Sequence, residues 1–270
     1  MNSSSPSKLS DVQRNQHRPA AFYVLALVLS VPFLVLGGAS RTFLLPGLPI
    51  AALMAVCPGI AATILVWRDG GWTGVTVLLS RAFDARRVRK AAWYLPILLF
   101  APLQYALAFG VLRLSGLSLP APNLDPAKVG PLCLLFFAGA VAEELGWTGY
   151  ATEPLIERWG VVKAGLILGA GWAAFHFVAL AEAHRSASWI AWWTLWTMGI
   201  RVAMVCLFNA SGRSVFAIAL FHMLINVGWQ LFPIDGSYFD PRVSGLVCAA
   251  MATITVWLWG HSRPRPSYRT

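Results

Sequence analysis

The stretch VGPLCLLFFAGAVAEELGWTGY, residues 129–150, sets the class of this protein. It is apolar for most of its length and is as long as a helix that crosses a bilayer. It nevertheless carries Glu143 and Glu144 side by side. Ionisable groups inside a membrane are costly, and they usually mark a transport pathway or an active site. The pair therefore predicts a functional site within the membrane.

The composition agrees with a membrane protein. Of the 270 residues, 57% are hydrophobic and only 12% are charged, which is too apolar for a soluble domain of this size. We predict an all-α, polytopic integral membrane protein with one membrane domain over residues 21–260, preceded by a disordered cytoplasmic N-terminus over residues 1–20 and followed by a basic cytoplasmic tail over residues 261–270. Helices are favoured over a barrel because the apolar runs are continuous rather than alternating.

About eight apolar runs have the length of a transmembrane helix. The predicted spans are residues 21–38, 48–67, 91–112, 131–151, 164–183, 189–208, 215–231 and 243–260.

The basic residues indicate an orientation rather than a nucleic-acid partner. The net charge is +10, but the Lys and Arg residues lie between apolar runs instead of along one face. Alternate loops differ in Lys and Arg content by about three to one, and the richer set includes both termini. We therefore expect both termini in the cytoplasm, contact with the lipid bilayer and no nucleic acid.

The richest basic loop follows the second predicted span. Its sequence WTGVTVLLSRAFDARRVRK, residues 72–90, is apolar first and arginine-rich afterwards. That order is typical of a helix that lies in the membrane interface.

Further polar residues recur at helical spacing inside the later spans. Trp172 and His176 are four residues apart, as are His222 and Asn226, so each pair shares a helix face. Arg201 stands alone in its span. A lone polar residue usually serves as a hydrogen-bonded packing group, but so many in one chain indicate a single buried polar site.

The two glutamates are expected to play different roles. Adjacent residues of a helix point about 100° apart, so both carboxylates cannot face the same point. One should take part in chemistry and the other should form a structural pair. The four cysteines, Cys57, Cys133, Cys206 and Cys248, each lie in an apolar run and are expected to be packing residues.

Three segments, taken in order, resemble those of the CPBP family of intramembrane proteases, which includes the type II CAAX prenyl endopeptidases and the bacterial Abi proteins. They are EELGWTGY at 143–150, WAAFH at 172–176 and NASGRSVFAIALFHMLIN at 209–226. The resemblance covers about half the chain, with a catalytic core near residues 129–231. It implies an endopeptidase of a bacterial cell membrane. The substrate that it implies is a membrane-associated protein or a CAAX-like substrate.

The resemblance implies a catalytic set of Glu143, Glu144, His176, His222 and Asn226. Glu143 with His176 would activate a water molecule, and His222 with Asn226 would donate hydrogen bonds to the oxyanion. No cofactor is expected. Zinc is the alternative, with Glu143, His176 and His222 as ligands, although the chain lacks the HExxH sequence of soluble zinc proteases.

One family position differs in this chain. The family has an arginine four residues after the second glutamate, where this sequence has Thr148. We hypothesise that Arg201 supplies the missing positive charge to Glu144. Two alternatives to a protease remain: an inactive immunity or scaffold protein of the same family, which Thr148 favours, and a transporter or proton relay, for which we find no supporting repeat.

Overall fold

The computed structural model describes residues 18–40 and 42–261, and these are almost entirely helical. The described residues form nine α-helices, which are α1 (Pro19–Ala39), α2 (Cys57–Ser80), α3 (Tyr94–Leu114), α4 (Pro126–Gly146), α5 (Glu153–Trp159), α6 (Val161–Glu182), α7 (Ala187–Ser211), α8 (Val215–Leu231) and α9 (Pro241–His261). The predicted all-α class is confirmed. The expected disordered N-terminus and basic tail lie largely outside the described residues.

Seven helical segments are long and apolar enough to cross a membrane. They are Pro19–Ala39, Ile50–Phe83, Ala91–Leu114, Pro126–Trp159, Val161–Glu182, Ala187–Ser211 and Pro241–Gly260. The remaining predicted span corresponds to α8, which has only 17 residues. The protein is thus an integral membrane protein, and its large outward-facing side chains are mostly Leu, Val and Ile.

The connection between α1 and α2 is a small antiparallel hairpin. Its strands are β1 (Phe43–Leu45) and β2 (Leu48–Pro49). A 3₁₀ segment, Ile50–Val56, leads from β2 into α2.

Helix α2 breaks at Gly71, whose φ of 59° and ψ of −155° are not helical. The break separates the second predicted span from residues 72–80, and 3₁₀ turns at Arg81–Phe83 and Ala85–Arg87 follow. The predicted separate helix after the second span is therefore present. Trp72 and Phe83 are 74% and 84% exposed, and the location of this helix in the membrane interface stays a prediction.

Two glycines allow α6 and α7 to approach each other closely. A Cβ atom at Gly165 would lie 2.9 Å from the Cα of Val202, and one at Gly169 would lie 2.9 Å from the Cα of Met198. Glycines spaced by four along a helix commonly form such contacts in membranes. This packing places the Arg201 region of α7 against α6, and α4 packs against α8.

Candidate active site

The two glutamates lie at the C-terminal end of α4 and are withdrawn from the surface. Glu143 is 6% exposed and Glu144 is fully buried. The chain continues as a π-helical turn, Trp147–Thr152, before α5 begins. Such wider turns often occur at functional sites, and this one carries Trp147 and Thr148, which both contact the glutamates.

Glu144 is held by three donors from three helical segments. Its Oε2 accepts hydrogen bonds from Arg201 Nη1 at 2.9 Å and from the Thr148 hydroxyl. Its Oε1 lies 2.9 Å from His222 Nδ1. A buried carboxylate needs this number of partners to offset the loss of water. Glu144 is therefore the structurally paired glutamate.

Arg201 supplies the positive charge of this pair. It is fully buried, and its guanidinium carbon lies 4.3 Å from the centre of the Trp172 ring. A desolvated cation over an indole face is stabilised by the ring quadrupole. The hypothesised contact between Arg201 and Glu144 is present, so the charge missing at position 148 comes from another helix.

One carboxylate oxygen of Glu143 is held by hydrogen bonds, and the other faces His222. Oε2 accepts hydrogen bonds from Trp172 Nε1 at 2.9 Å and from Trp147 Nε1 at 3.3 Å. Oε1 lies 3.9 Å from His222 Nε2, which is too far for a direct hydrogen bond. This geometry leaves Oε1 able to accept a proton.

His222 lies between the two carboxylates and is only 1% exposed. Because Glu144 is paired with Arg201 and can only accept, His222 Nδ1 must donate its proton to Glu144. Nε2 then points towards Glu143. The structure thus brings together Glu143, Glu144 and His222. The two carboxylates do not face the same point, because they lie near different nitrogens of the His222 imidazole.

His176 joins this group through Trp172. Its Nδ1 lies 2.8 Å from the Trp172 carbonyl oxygen, which can only accept, so Nδ1 carries a proton. In the neutral ring Nε2 is consequently an acceptor. The Trp172 ring centre lies 5.7 Å from the His176 ring and 5.0 Å from the His222 ring, so Trp172 packs against both histidines.

Asn226 is the least engaged of the predicted residues. It lies one turn after His222 on α8 and is half-buried. Among the described residues its amide has no hydrogen-bond partner. A free amide near His222 is available to a ligand.

The alternative zinc set is not supported by the arrangement of the side chains. In the described part of the chain, no group of three or more His, Cys, Asp or Glu residues is placed to hold a metal ion. Glu143 Oε2 already accepts hydrogen bonds from two indole N–H groups. The cysteines are free, and Cys133 is half-buried while the other three are buried.

Comparison with known proteins gives a match that covers the candidate site. Residues 125–228 match the family described as type II CAAX prenyl endopeptidase Rce1-like. The resemblance inferred from the three sequence segments is therefore confirmed over nearly the expected core, and the matched segment contains all five predicted site residues.

A curated relative covers a similar part of the chain. "CAAX prenyl protease 2" of Methanococcus maripaludis is 31% identical over 133 residues, which are 45% of this chain and 48% of that protein. The chain thus spans about half the length of the relative it matches. Helices α1 to α3 lie outside the segment that matches this family.

The hydrogen-bond donors that hold Glu143 were not predicted from the sequence. Trp147 lies four residues after Glu143, a spacing that places both on one helix face, so this contact had a detectable signal. The bond from Trp172 crosses between α6 and α4, and no local spacing predicts it.

Proposed function

We propose that this protein is an intramembrane endopeptidase in which Glu143 activates water for attack on a peptide bond. The observation that supports this most is the unequal use of the two glutamates. Glu144 is saturated by Arg201, Thr148 and His222, whereas Glu143 keeps one oxygen outside the indole contacts. A general base must have an accessible oxygen in a fixed position.

The charges of the site also suit the reaction. Two carboxylates face one guanidinium, so a doubly protonated His222 would bring the buried site to neutrality. Such an imidazolium donates Nδ1–H to Glu144 and keeps Nε2–H for a substrate. In this mechanism His222 and Asn226 stabilise the oxyanion.

The proposed reaction is ordinary hydrolysis. A water molecule gives a proton to Glu143 Oε1, and its oxygen bonds to the scissile carbonyl carbon. The oxyanion that forms accepts hydrogen bonds from His222 Nε2–H and the Asn226 amide. When the C–N bond breaks, the proton from Glu143 passes to the leaving amine. His176, whose Nε2 is an acceptor, assists Glu143 in holding the water.

The substrate is proposed to be a protein or peptide at the membrane. The relative that matches this chain is called a prenyl protease, so a prenylated CAAX peptide is the first substrate to test. Unprenylated tails of membrane proteins are the second. The predicted orientation, with both termini cytoplasmic, places the ends of α4 and α5 near the cytoplasmic side.

The test is proteolysis by purified full-length protein in liposomes. Wild type is compared with Glu143→Gln and His222→Ala on a prenylated CAAX peptide and on a pool of membrane-protein tails, each with chelator or with added zinc. We expect Glu143→Gln to lose at least about a hundredfold in rate, the usual scale of general-base catalysis. Glu157→Gln is the matched control, because Glu157 is exposed on α5.

Each result has a definite meaning. Retained cleavage by Glu143→Gln would contradict the role of this residue, and loss of cleavage in chelator would contradict a metal-independent reaction. A folded wild type that cleaves none of the substrates would favour the second candidate, an inactive binding or immunity protein. Thr148 in place of the family arginine is the observation that favours that candidate.

A further inference from the structure

A basic cavity lies at one end of the helix bundle, away from the glutamates. It has a volume of about 570 Å³ and is lined by Asp84, Arg86, Arg87, Arg89 and Gly212. The lining residues come from the loop after α2 and from the turn between α7 and α8. Three arginines in one cavity favour an anionic ligand.

The one acidic residue of the cavity is already neutralised. Asp84 Oδ2 lies 2.8 Å from Arg81 Nε, and Asp84 Oδ1 accepts hydrogen bonds from the Ser214 hydroxyl and the Phe216 amide. Asp84 thereby caps the first turn of α8. Its charge does not cancel those of Arg86 and Arg89.

The loop is fixed against the turn at Gly212. This residue has a φ of 111°, and a Cβ atom there would lie 2.1 Å from the Arg87 carbonyl oxygen. Glycine is therefore required by both the conformation and the contact. The close approach holds the arginine loop in place and leaves the cavity without a side chain from position 212.

Two of the arginines are available to a ligand. Arg86 and Arg89 are exposed, and neither forms an ion pair or hydrogen bond within the described residues. Guanidinium groups bind phosphate through paired N–H donors. A phosphate group is thus the ligand chemistry that the cavity fits best.

The residues before the arginines indicate that the phosphate belongs to a lipid. Trp72, Val77 and Phe83 are 74%, 54% and 84% exposed. Apolar side chains of this size are expected to lie among acyl chains, and basic residues directly after them then lie at the level of the headgroups. A soluble phosphate would not require these apolar neighbours.

We propose that the cavity formed by Arg86, Arg89 and Gly212 binds the phosphate of an anionic phospholipid headgroup. This inference goes beyond the proposed peptidase and does not depend on it. The lipid would bridge the arginine loop and the turn before α8. Since Asp84 of the same loop caps α8, which carries His222, bound lipid would also stabilise the helix that contributes to the candidate active site.

The experiment measures lipid retained by the full-length protein in detergent, by native mass spectrometry. Dioleoylphosphatidylglycerol and dioleoylphosphatidylcholine are compared on wild type and on Arg86→Gln/Arg89→Gln. Each basic residue near an anionic surface contributes about a fivefold factor in affinity. We therefore expect wild type to prefer phosphatidylglycerol and the double variant to bind it about twenty-five-fold more weakly.

The matched control is Arg158→Gln/Lys163→Gln. It removes the same charge from two exposed positions, one at the end of α5 and one at the start of α6. It should retain wild-type lipid binding. Equal binding of the two lipids by wild type, or equal losses in both double variants, would overturn the proposal. The proposal would also be overturned if inorganic phosphate raised the Tm as much as phosphatidylglycerol does, because the ligand would then be a soluble anion.

Discussion

Two of the places where carboxylates and guanidinium groups meet in the described residues differ in their access to water. At the candidate active site both Glu144 and Arg201 have fully buried side chains. At the bundle-end cluster of Arg81, Asp84, Glu153 and Arg213, the arginine side chains are 13% and 35% exposed. Water can replace a lost partner in the second place but not in the first.

The two places also differ in redundancy. Glu153 is approached by both Arg81 and Arg213, each at 3.5 Å. Glu144 has one guanidinium partner among the described residues, Arg201 at 2.9 Å. The loss of a single arginine should therefore matter far more within the bundle than at its end.

The largest effect is expected from Arg201→Met. Removal of one partner from a buried ion pair leaves an uncompensated charge and typically costs about 3–5 kcal/mol. The free energy of unfolding in mixed micelles of denaturing and mild detergent would measure this loss. Arg201→Met/Glu144→Gln should recover part of it, since the second change removes the orphaned charge. A loss below about 1 kcal/mol in the single variant would contradict the importance of burial.

A smaller effect is expected when the arginine is returned to the family position. Thr148 lies four residues after Glu144, and its hydroxyl donates to the same oxygen as Arg201. Thr148→Arg should destabilise wild type, because two guanidinium groups would compete for one carboxylate. In the Arg201→Met background it should be stabilising, and a double-mutant cycle should show a coupling of about 1–3 kcal/mol. Additive effects would show that the two positions do not share Glu144.

The smallest effect is expected from Arg213→Gln at the bundle-end cluster. Arg81 remains next to Glu153 after this change, and partly exposed pairs contribute about 0–1 kcal/mol. The same unfolding measurement, repeated at high salt, gives the comparison with Arg201→Met. A loss as large as that of Arg201→Met would mean that exposure does not distinguish the two clusters.

The helices were predictable because their apolar runs are set by bilayer thickness. Every predicted span corresponds to a helical segment, although α8 is shorter than a typical span. The helix break at Gly71 and the change to an arginine-rich loop were also visible as a change in composition. Both features are caused by the residues at those positions, so they can be predicted from the local sequence.

The pairing within the site was only partly predictable. Spacing placed His222 and Asn226 on one face of α8 and indicated that the glutamates diverge. It placed Trp172 on one face with His176 but did not indicate that the Trp172 indole binds Glu143 of α4 and that its ring covers Arg201 of α7. These contacts depend on how three helices pack. Helix α6 approaches α7 closely at Gly165 and Gly169, whose spacing is visible in the sequence but does not identify the helix that they contact.

The placement of Arg201 on α7 also bears on how the chain enters the membrane. An arginine near the centre of a helix raises the free energy of insertion by about 2.5–3.5 kcal/mol. Helix α4, with Glu144, precedes α7 in the chain, so the carboxylate partner of Arg201 is synthesised before α7. An arginine at position 148 would instead lie next to Glu144 in the same segment of chain. Arg201 thus depends for its partner on a helix that is synthesised earlier.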